Sequence, residues 1–166
     1  MKHFSPAIAQ TGTLSADVAA IQRIAVVPSI LEVICDETGM RFAAIARVTS
    51  DQWVACAVRD EMNYGLLPST ELDLHTTLCD EVRGHRRAIL IEQVADDPIF
   101  RDHPTPRLYG FQSYISTPIL RTDGDFFGTL FALDTMPAKL SNSAALNSLP
   151  LFAQLIALEL DAGELK

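Results

Sequence analysis

The segment from Gln112 to Leu133 constrains this chain more than any other. Two strand-like runs, Gln112 to Arg121 and Phe126 to Leu133, flank Thr122, Asp123, Gly124 and Asp125. An Asp-Gly pair accepts the positive φ values that tight hairpin turns demand, so the two runs predict an antiparallel hairpin. Alternation along its first strand puts Tyr114, Ser116 and Pro118 on one face and Ile115, Thr117 and Ile119 on the other.

The remaining elements are read outward from that hairpin. From Ala16 to Thr38, apolar residues recur at helical spacing through Val18, Ile21, Ile24, Ile30, Leu31 and Ile34. This predicts two helical pieces bent at Pro28 and capped at Gly39. Arg41 to Val48 and Trp53 to Arg59 read as a second antiparallel hairpin turning over Thr49 to Gln52. His75 to Arg83 reads as a short helix, with Asp73 able to cap its start and Gly84 closing it. Ala88 to Ile91 is a brief strand, and Glu92 to Pro106, rich in Asp, Pro and His, reads as an irregular surface loop. Asn147 to Leu160 carries a wide apolar stripe, with Ser148 and Pro150 near its start, and closes the chain as a helix.

This order specifies an α+β fold: a central antiparallel sheet with the N- and C-terminal helices on one face. With 166 residues and 48% hydrophobic content, the chain has material for one core. The expected organisation is a disordered polar arm over residues 1–14 and a single domain over residues 15–164. Residues Asp161 to Lys166 show no terminal fold of their own, which suits both a domain of a longer protein and a stand-alone module.

A formal net charge of −8 opposes binding to phosphate backbones or anionic headgroups, so nucleic acid and membrane are not expected partners. No apolar run approaches the length that spans a bilayer, and the first residues lack the pattern of a secretory leader. Cys35, Cys56 and Cys79 are odd in number and widely spaced, which fits reduced thiols in a cytoplasm.

Two stretches then carry a resemblance. Tyr109-Gly110-Phe111-Gln112-Ser113-Tyr114-Ile115-Ser116-Thr117-Pro118-Ile119 and Phe127-Gly128-Thr129-Leu130-Phe131-Ala132-Leu133-Asp134 together resemble the signature hairpin of GAF domains. Leu78 to Val82, Ala88 to Ile91 and Asp96 to Phe100 resemble the middle of the GAF domains that open many bacterial sensor histidine kinases. The likeness spans roughly Ile21 to Leu160. It implies terminal helices that pack on one side of the sheet and form a parallel dimer bundle. It also implies a small-molecule pocket on the other side, roofed by the short helix and the loop.

On that reading, Tyr114 and Ser116 face the pocket. Tyr64, Phe100, Tyr109 and Phe111, with Cys56 and Phe131 from strands, supply apolar walls and a few polar groups. The competing reading is a core filled by the same side chains. Cys79 is followed by Asp80, where the bilin-binding relatives pair their anchoring cysteine with a histidine, so no covalent bilin is expected and the cofactor is unknown. His75 and Cys79 stand four apart, but no second ligand pair accompanies them, so no metal is assigned. His85 and His103 occupy positions from which some GAF sensors ligate haem, although surface histidines are the simpler reading. The Asn-Lys, Phe and Asp-Glu signature of cyclic-nucleotide GAF domains is not present, and Asp123 and Asp125 read as turn residues.

The sequence carries no catalytic motif, so the expectation is a non-enzymatic regulatory module. The resemblance implies the cytoplasmic input domain of a sensor histidine kinase, expected to bind a small ligand and to dimerise through its terminal helices. Two alternatives stay open. One is a purely structural dimerisation module with a filled pocket. The other is a thiol-dependent methionine sulfoxide reductase, for which Cys35 looks misplaced.

Overall fold

A computed structural model describes residues 14–164. The polar arm therefore lies outside the described residues apart from Leu14, which opens helix α1 (Leu14–Gln22). Helix α2 (Val27–Thr38) follows, then strands β1 (Phe42–Val48), β2 (Trp53–Asp60) and β3 (Glu71–Leu72). A 3-10 turn (Leu74–Thr76) leads into helix α3 (Leu78–His85), strand β4 (Ile89–Ile91) and a second 3-10 turn (Val94–Asp96). Helix α4 (Pro104–Tyr109), strands β5 (Ser113–Leu120) and β6 (Phe126–Asp134), and helix α5 (Ala145–Glu164) complete the chain.

The strands form one sheet in the order β3-β2-β1-β6-β5-β4, antiparallel throughout. The β5–β6 hairpin turns where the sequence places it. The Gly124 amide donates to the Arg121 carbonyl at 2.8 Å, and Gly124 adopts a φ of +93°, a region costly for any side chain. Gly128 answers a different need. A Cβ there would stand 1.8 Å from the Ala46 carbonyl oxygen, beside the irregularity between Ile45 and Ala46.

The period-two alternation of the strands sorts side chains into two cores. Ala43, Ile45, Val54, Ile115, Ile119 and Leu130 pack against Ile21, Ile30, Ile34, Leu149 and Ile156 of α1, α2 and α5. Phe42, Trp53, Tyr114, Phe131 and Leu133 face the other way, toward α3, α4 and the segments around them. On that second face Ala44, Ala46 and Ala55 are small, which lets Leu78 and Val82 of α3 come down onto the sheet.

Three local readings need correction. The bend between the first two helices is 77°, but Pro28 is not the hinge. Pro28 sits in the first turn of α2, where its missing N–H costs nothing, and residues 23–26 make the break through Ile24 N–H to Ile21 O and Val27 N–H to Ile24 O. The expected helix from His75 is split: Asp73 caps a 3-10 turn by accepting from the His75 amide at 3.1 Å, and α3 starts afresh at Leu78. Its end is Arg86, at φ +58°, rather than Gly84, and the Arg86 guanidinium donates to the Gly124 carbonyl at 2.8 Å. The loop from Glu92 is partly ordered into helix, because His103 Nδ1 accepts from the Thr105 amide at 3.1 Å and caps α4.

Helix α5 begins before the expected residue, as the Ala144 carbonyl already accepts from Asn147 and Ser148. Pro150 thus lies inside it, at the cost of one backbone bond. Among the described residues no single helix is long and apolar enough to cross a membrane.

Candidate functional site

On the face away from the terminal helices, the sheet and its α3–α4 cover line a cavity of about 40 Å³. Strand residues Trp53, Tyr114, Phe131 and Leu133 form its floor. Thr77, Leu78 and Cys79 enter from the start of α3, Thr105 and Tyr109 from α4, and Tyr64 and Leu66 from the segment after β2. No charged side chain lines it among the described residues. The floor is aromatic and continuous: Tyr114 stacks on Phe111 at 5.3 Å and on Phe131 at 6.0 Å between ring centroids.

Clasps hold the roof in place. Tyr64 donates its hydroxyl to the Tyr109 carbonyl at 2.6 Å, and the Tyr109 hydroxyl meets Thr76 Oγ1 at 2.5 Å. Thr105 Oγ1 donates to the Thr76 carbonyl at 2.7 Å, tying α4 to the turn before α3. His103 Nε2 lies 2.5 Å from Glu81, a second tie between α4 and α3. Burial raises the Tyr64 and Tyr109 hydroxyls above their ordinary pKa, so both remain neutral donors at physiological pH.

A small polar nest interrupts the apolar wall. Cys79 Sγ stands 3.0 Å from Thr129 Oγ1 and 3.7 Å from the Tyr114 hydroxyl. The Trp53 indole N–H lies close enough to favour the Cys79 thiolate, yet meets no acceptor at hydrogen-bonding geometry. Ser116 Oγ is also buried without a partner. Leaving a buried donor unmet costs about 1–3 kcal/mol, so the Trp53 indole is a site of unspent hydrogen-bonding capacity.

The thiols are poor nucleophiles. Burial pushes Cys35 and Cys56 up to about 12 and raises Cys79 as well, the last against the pull of Thr129, Trp53 and Tyr114. Cys35 lies on α2, Cys56 on the helix side of β2 and Cys79 at the cavity, so they share no site.

Of the residues selected from sequence, Tyr64, Tyr109, Phe111, Tyr114 and Phe131 border the cavity. Phe100 belongs to the same apolar cluster but packs against His103 at 5.6 Å, away from the cavity wall. Ser116 shares the face of Tyr114 and is fully buried, but does not border the cavity. Cys56 is a correction: it lies in the helix-side core. Trp53 points to the cavity side, and Cys56, three residues on, falls on the other face of the pleat.

Sequence reasoning missed Trp53, Leu133 and Cys79 as wall residues. The first two were findable, since Leu133 is two residues from Phe131 and Trp53 opens a strand whose alternation is clear. Thr77 and Thr105 carry no sequence signal; they are placed by the roof contacts.

A six-stranded antiparallel sheet with terminal helices on one face and a cavity under short helices on the other defines a class of α+β fold. The GAF domain family matches residues 22–160, and the chain belongs to that family. No curated protein sequence matches it.

Solved structures agree on the fold at low identity. The type II free methionine-R-sulfoxide reductase from Thermoplasma acidophilum is 16% identical with a TM-score of 0.61, over 86% of this chain and 92% of that one. The cyanobacteriochrome receptor PixJ is 12% identical with a TM-score of 0.65, over 90% and 97%. A methyl-accepting chemotaxis protein segment is 19% identical with a TM-score of 0.63, over 93% and 100%. One architecture thus serves a reductase, a photoreceptor and a chemotaxis protein, and chemistry has to be read from the site.

Proposed function

We propose that this GAF domain is a regulatory input module that binds a small ligand in the cavity and passes the event to an output domain through its terminal helices. The observation that carries this reading is the shared sheet. Tyr114 and Phe131 touch the cavity, while Ile115 and Leu130 beside them on β5 and β6 pack in the helix-side core with Ile156 and Leu160 of α5. A ligand that moves the floor rings acts on strands that α5 grips from behind.

The output we infer is a sensor histidine kinase, from the resemblance of Leu78 to Val82 and Asp96 to Phe100 to the GAF domains that open such kinases. Three buried free thiols suit the reducing cytoplasm. A second copy of the chain is the proposed partner of α5. Leu151, Leu155 and Leu158 are 64%, 36% and 49% exposed and, spaced four and three apart, form one apolar stripe.

Native mass spectrometry of the purified chain tests this reading. A dimer that retains a small molecule, and that becomes monomeric on Leu151→Glu with Leu158→Glu, supports it. A dimer that retains nothing and shows no response to small-molecule screening favours a structural dimerisation module, a reading supported by the modest cavity volume of about 40 Å³. A thiol reductase finds no support in three separated, buried thiols with raised pKa values.

A further inference from the structure

Every hydroxyl and thiol among the residues lining the cavity is already engaged inside the fold. Tyr64 donates to the Tyr109 carbonyl, and the Tyr109 hydroxyl pairs with Thr76 Oγ1. Thr77 Oγ1 donates to the Leu74 carbonyl at 2.8 Å, and Thr105 Oγ1 to the Thr76 carbonyl at 2.7 Å. The Tyr114 hydroxyl and the Cys79 sulfur face each other at 3.7 Å, and Thr129 Oγ1 stands 3.0 Å from that sulfur. Trp53 adds an aromatic face and no donor, because its indole nitrogen lies beside the Cys79 sulfur with essentially no accessible surface. No charged side chain borders the cavity among the described residues, and the surface presented to a ligand is almost wholly apolar.

A polar atom brought into such a cavity gives up its hydrogen bonds to water and finds none in return. A charge fares worse, since no counterion stands on the wall. Water itself fits poorly, because a buried water needs about two to four polar partners. Engaging a wall hydroxyl instead means breaking a bond that the fold already makes, and for Tyr64, Tyr109 and Thr105 that bond is a clasp of the roof. An apolar molecule surrenders nothing on entry and gains dispersion contacts with Phe111, Tyr114, Phe131 and Leu133.

We propose that the cavity selects a small, wholly apolar molecule, hydrocarbon in character, which is held by shape and dispersion and makes no hydrogen bond to the protein. This rests on the ligand-sensing reading above and adds the chemical class. It excludes amino acids, nucleotides and other hydrogen-bonding metabolites from this cavity. The volume of about 40 Å³ suits a molecule of a few heavy atoms without rearrangement; larger members of the class enter only by parting the Tyr64, Tyr109 and His103 clasps.

Methyl NMR of the intact chain tests this by titration with xenon, propane and dimethyl ether. Propane and dimethyl ether are nearly isosteric, but the ether carries its oxygen between the methyl groups, where it cannot be left in solvent once the molecule is bound. Leu72, Leu78 and Leu133 report from the cavity wall, and Ile34 and Ile45 in the helix-side core serve as controls. The expected result is a saturable shift of the wall methyls with xenon and propane, unmoved controls, and propane binding at least about fivefold tighter than dimethyl ether. Leu72→Phe, which puts a ring into the same space, is expected to weaken propane binding at least about tenfold.

A smaller preference for propane, or none, reveals a polar group available on the wall and overturns the apolar class while leaving ligand sensing in place. Equal shifts at Ile34 and Ile45 mean general partitioning into the core and overturn the assignment to this cavity. No wall response to any of the three probes means a filled cavity and overturns both readings. Because the probes are followed in the unaltered chain, the result does not depend on how well the variant folds.

Discussion

The two faces of one sheet are built to different standards. The helix face is mainly aliphatic: Ala43, Ile45, Val54, Ile115 and Leu130 interlock with residues from helices of 9, 12 and 20 residues, and most are fully buried. The cavity face is aromatic, covered by helices of 8 and 6 residues and two 3-10 turns, and held by side-chain clasps. Aliphatic side chains at strand and helix periods fill space densely. Large planar rings bridged by short elements leave gaps, and the gap here is the cavity. One face is suited to transmit force and the other to yield.

That contrast is breakable by experiment, and the largest effect belongs to the helix face. Ile156→Ala should cost about 3 kcal/mol in urea unfolding, because the void it leaves is enclosed by α1, α2 and the sheet. A loss below about 1 kcal/mol would show that this face relaxes as readily as the other.

Adding volume separates the faces from the opposite direction. Ala132→Leu, on the helix face and fully buried, should destabilise by about 2 kcal/mol through overpacking. Leu72→Phe, on the rim strand of the cavity, should lie within about 0.5 kcal/mol of the parent or stabilise it, since space for the ring exists. Equal penalties measured by thermal unfolding would mean that the cavity is effectively full.

Acid should affect both faces alike, through Asp134 at the end of β6. Burial alone would raise its pKa, but bonds from the Arg41 side chain at 2.7 and 2.9 Å and from the Met136 and Arg41 amides at 2.9 Å hold it below the ordinary value. With the folded pKa depressed, its stabilisation is complete above the unfolded value near about 4 and is lost as pH falls through the folded pKa. Asp134→Asn should therefore lower stability at neutral pH by about 1–2 kcal/mol and flatten the acid limb of the stability curve. An unchanged acid limb would assign that pH dependence to other carboxylates.

The smallest effect is kinetic. Cys56 on the helix face and Cys79 at the cavity are both buried, and burial raises both thiol pKa values. If the clasped roof opens before the helix layer does, Cys79 should react with a maleimide at least about tenfold faster than Cys56 under native conditions, as followed by peptide mass spectrometry. Comparable rates would mean that both thiols wait for global unfolding.

The same contrast explains what was legible. The Asp-Gly turn, the two hairpins, the Gly39 cap and the closing helix follow from short-range rules: φ preference, alternation and helical period act between neighbours in the chain. Alternation puts Tyr114 and Ser116 on one face of their strand, and the family resemblance turns that face to the cavity. Cys56 was assigned without a register and fell on the wrong face, since one position along a pleat reverses the side chain.

What composition and local pattern determined alone is the α+β order, the two-sided strands and the family resemblance. Only the tertiary structure decided that Trp53, Cys79, Thr77 and Thr105 meet around one cavity, that Arg86 rather than Gly84 ends α3, and that an indole N–H is left unmet. These outcomes depend on contacts between residues tens of positions apart, such as Thr76 with Tyr109 and Arg86 with Gly124. Local patterning carries no information on such pairs, because their energy exists only once the sheet has brought the segments together.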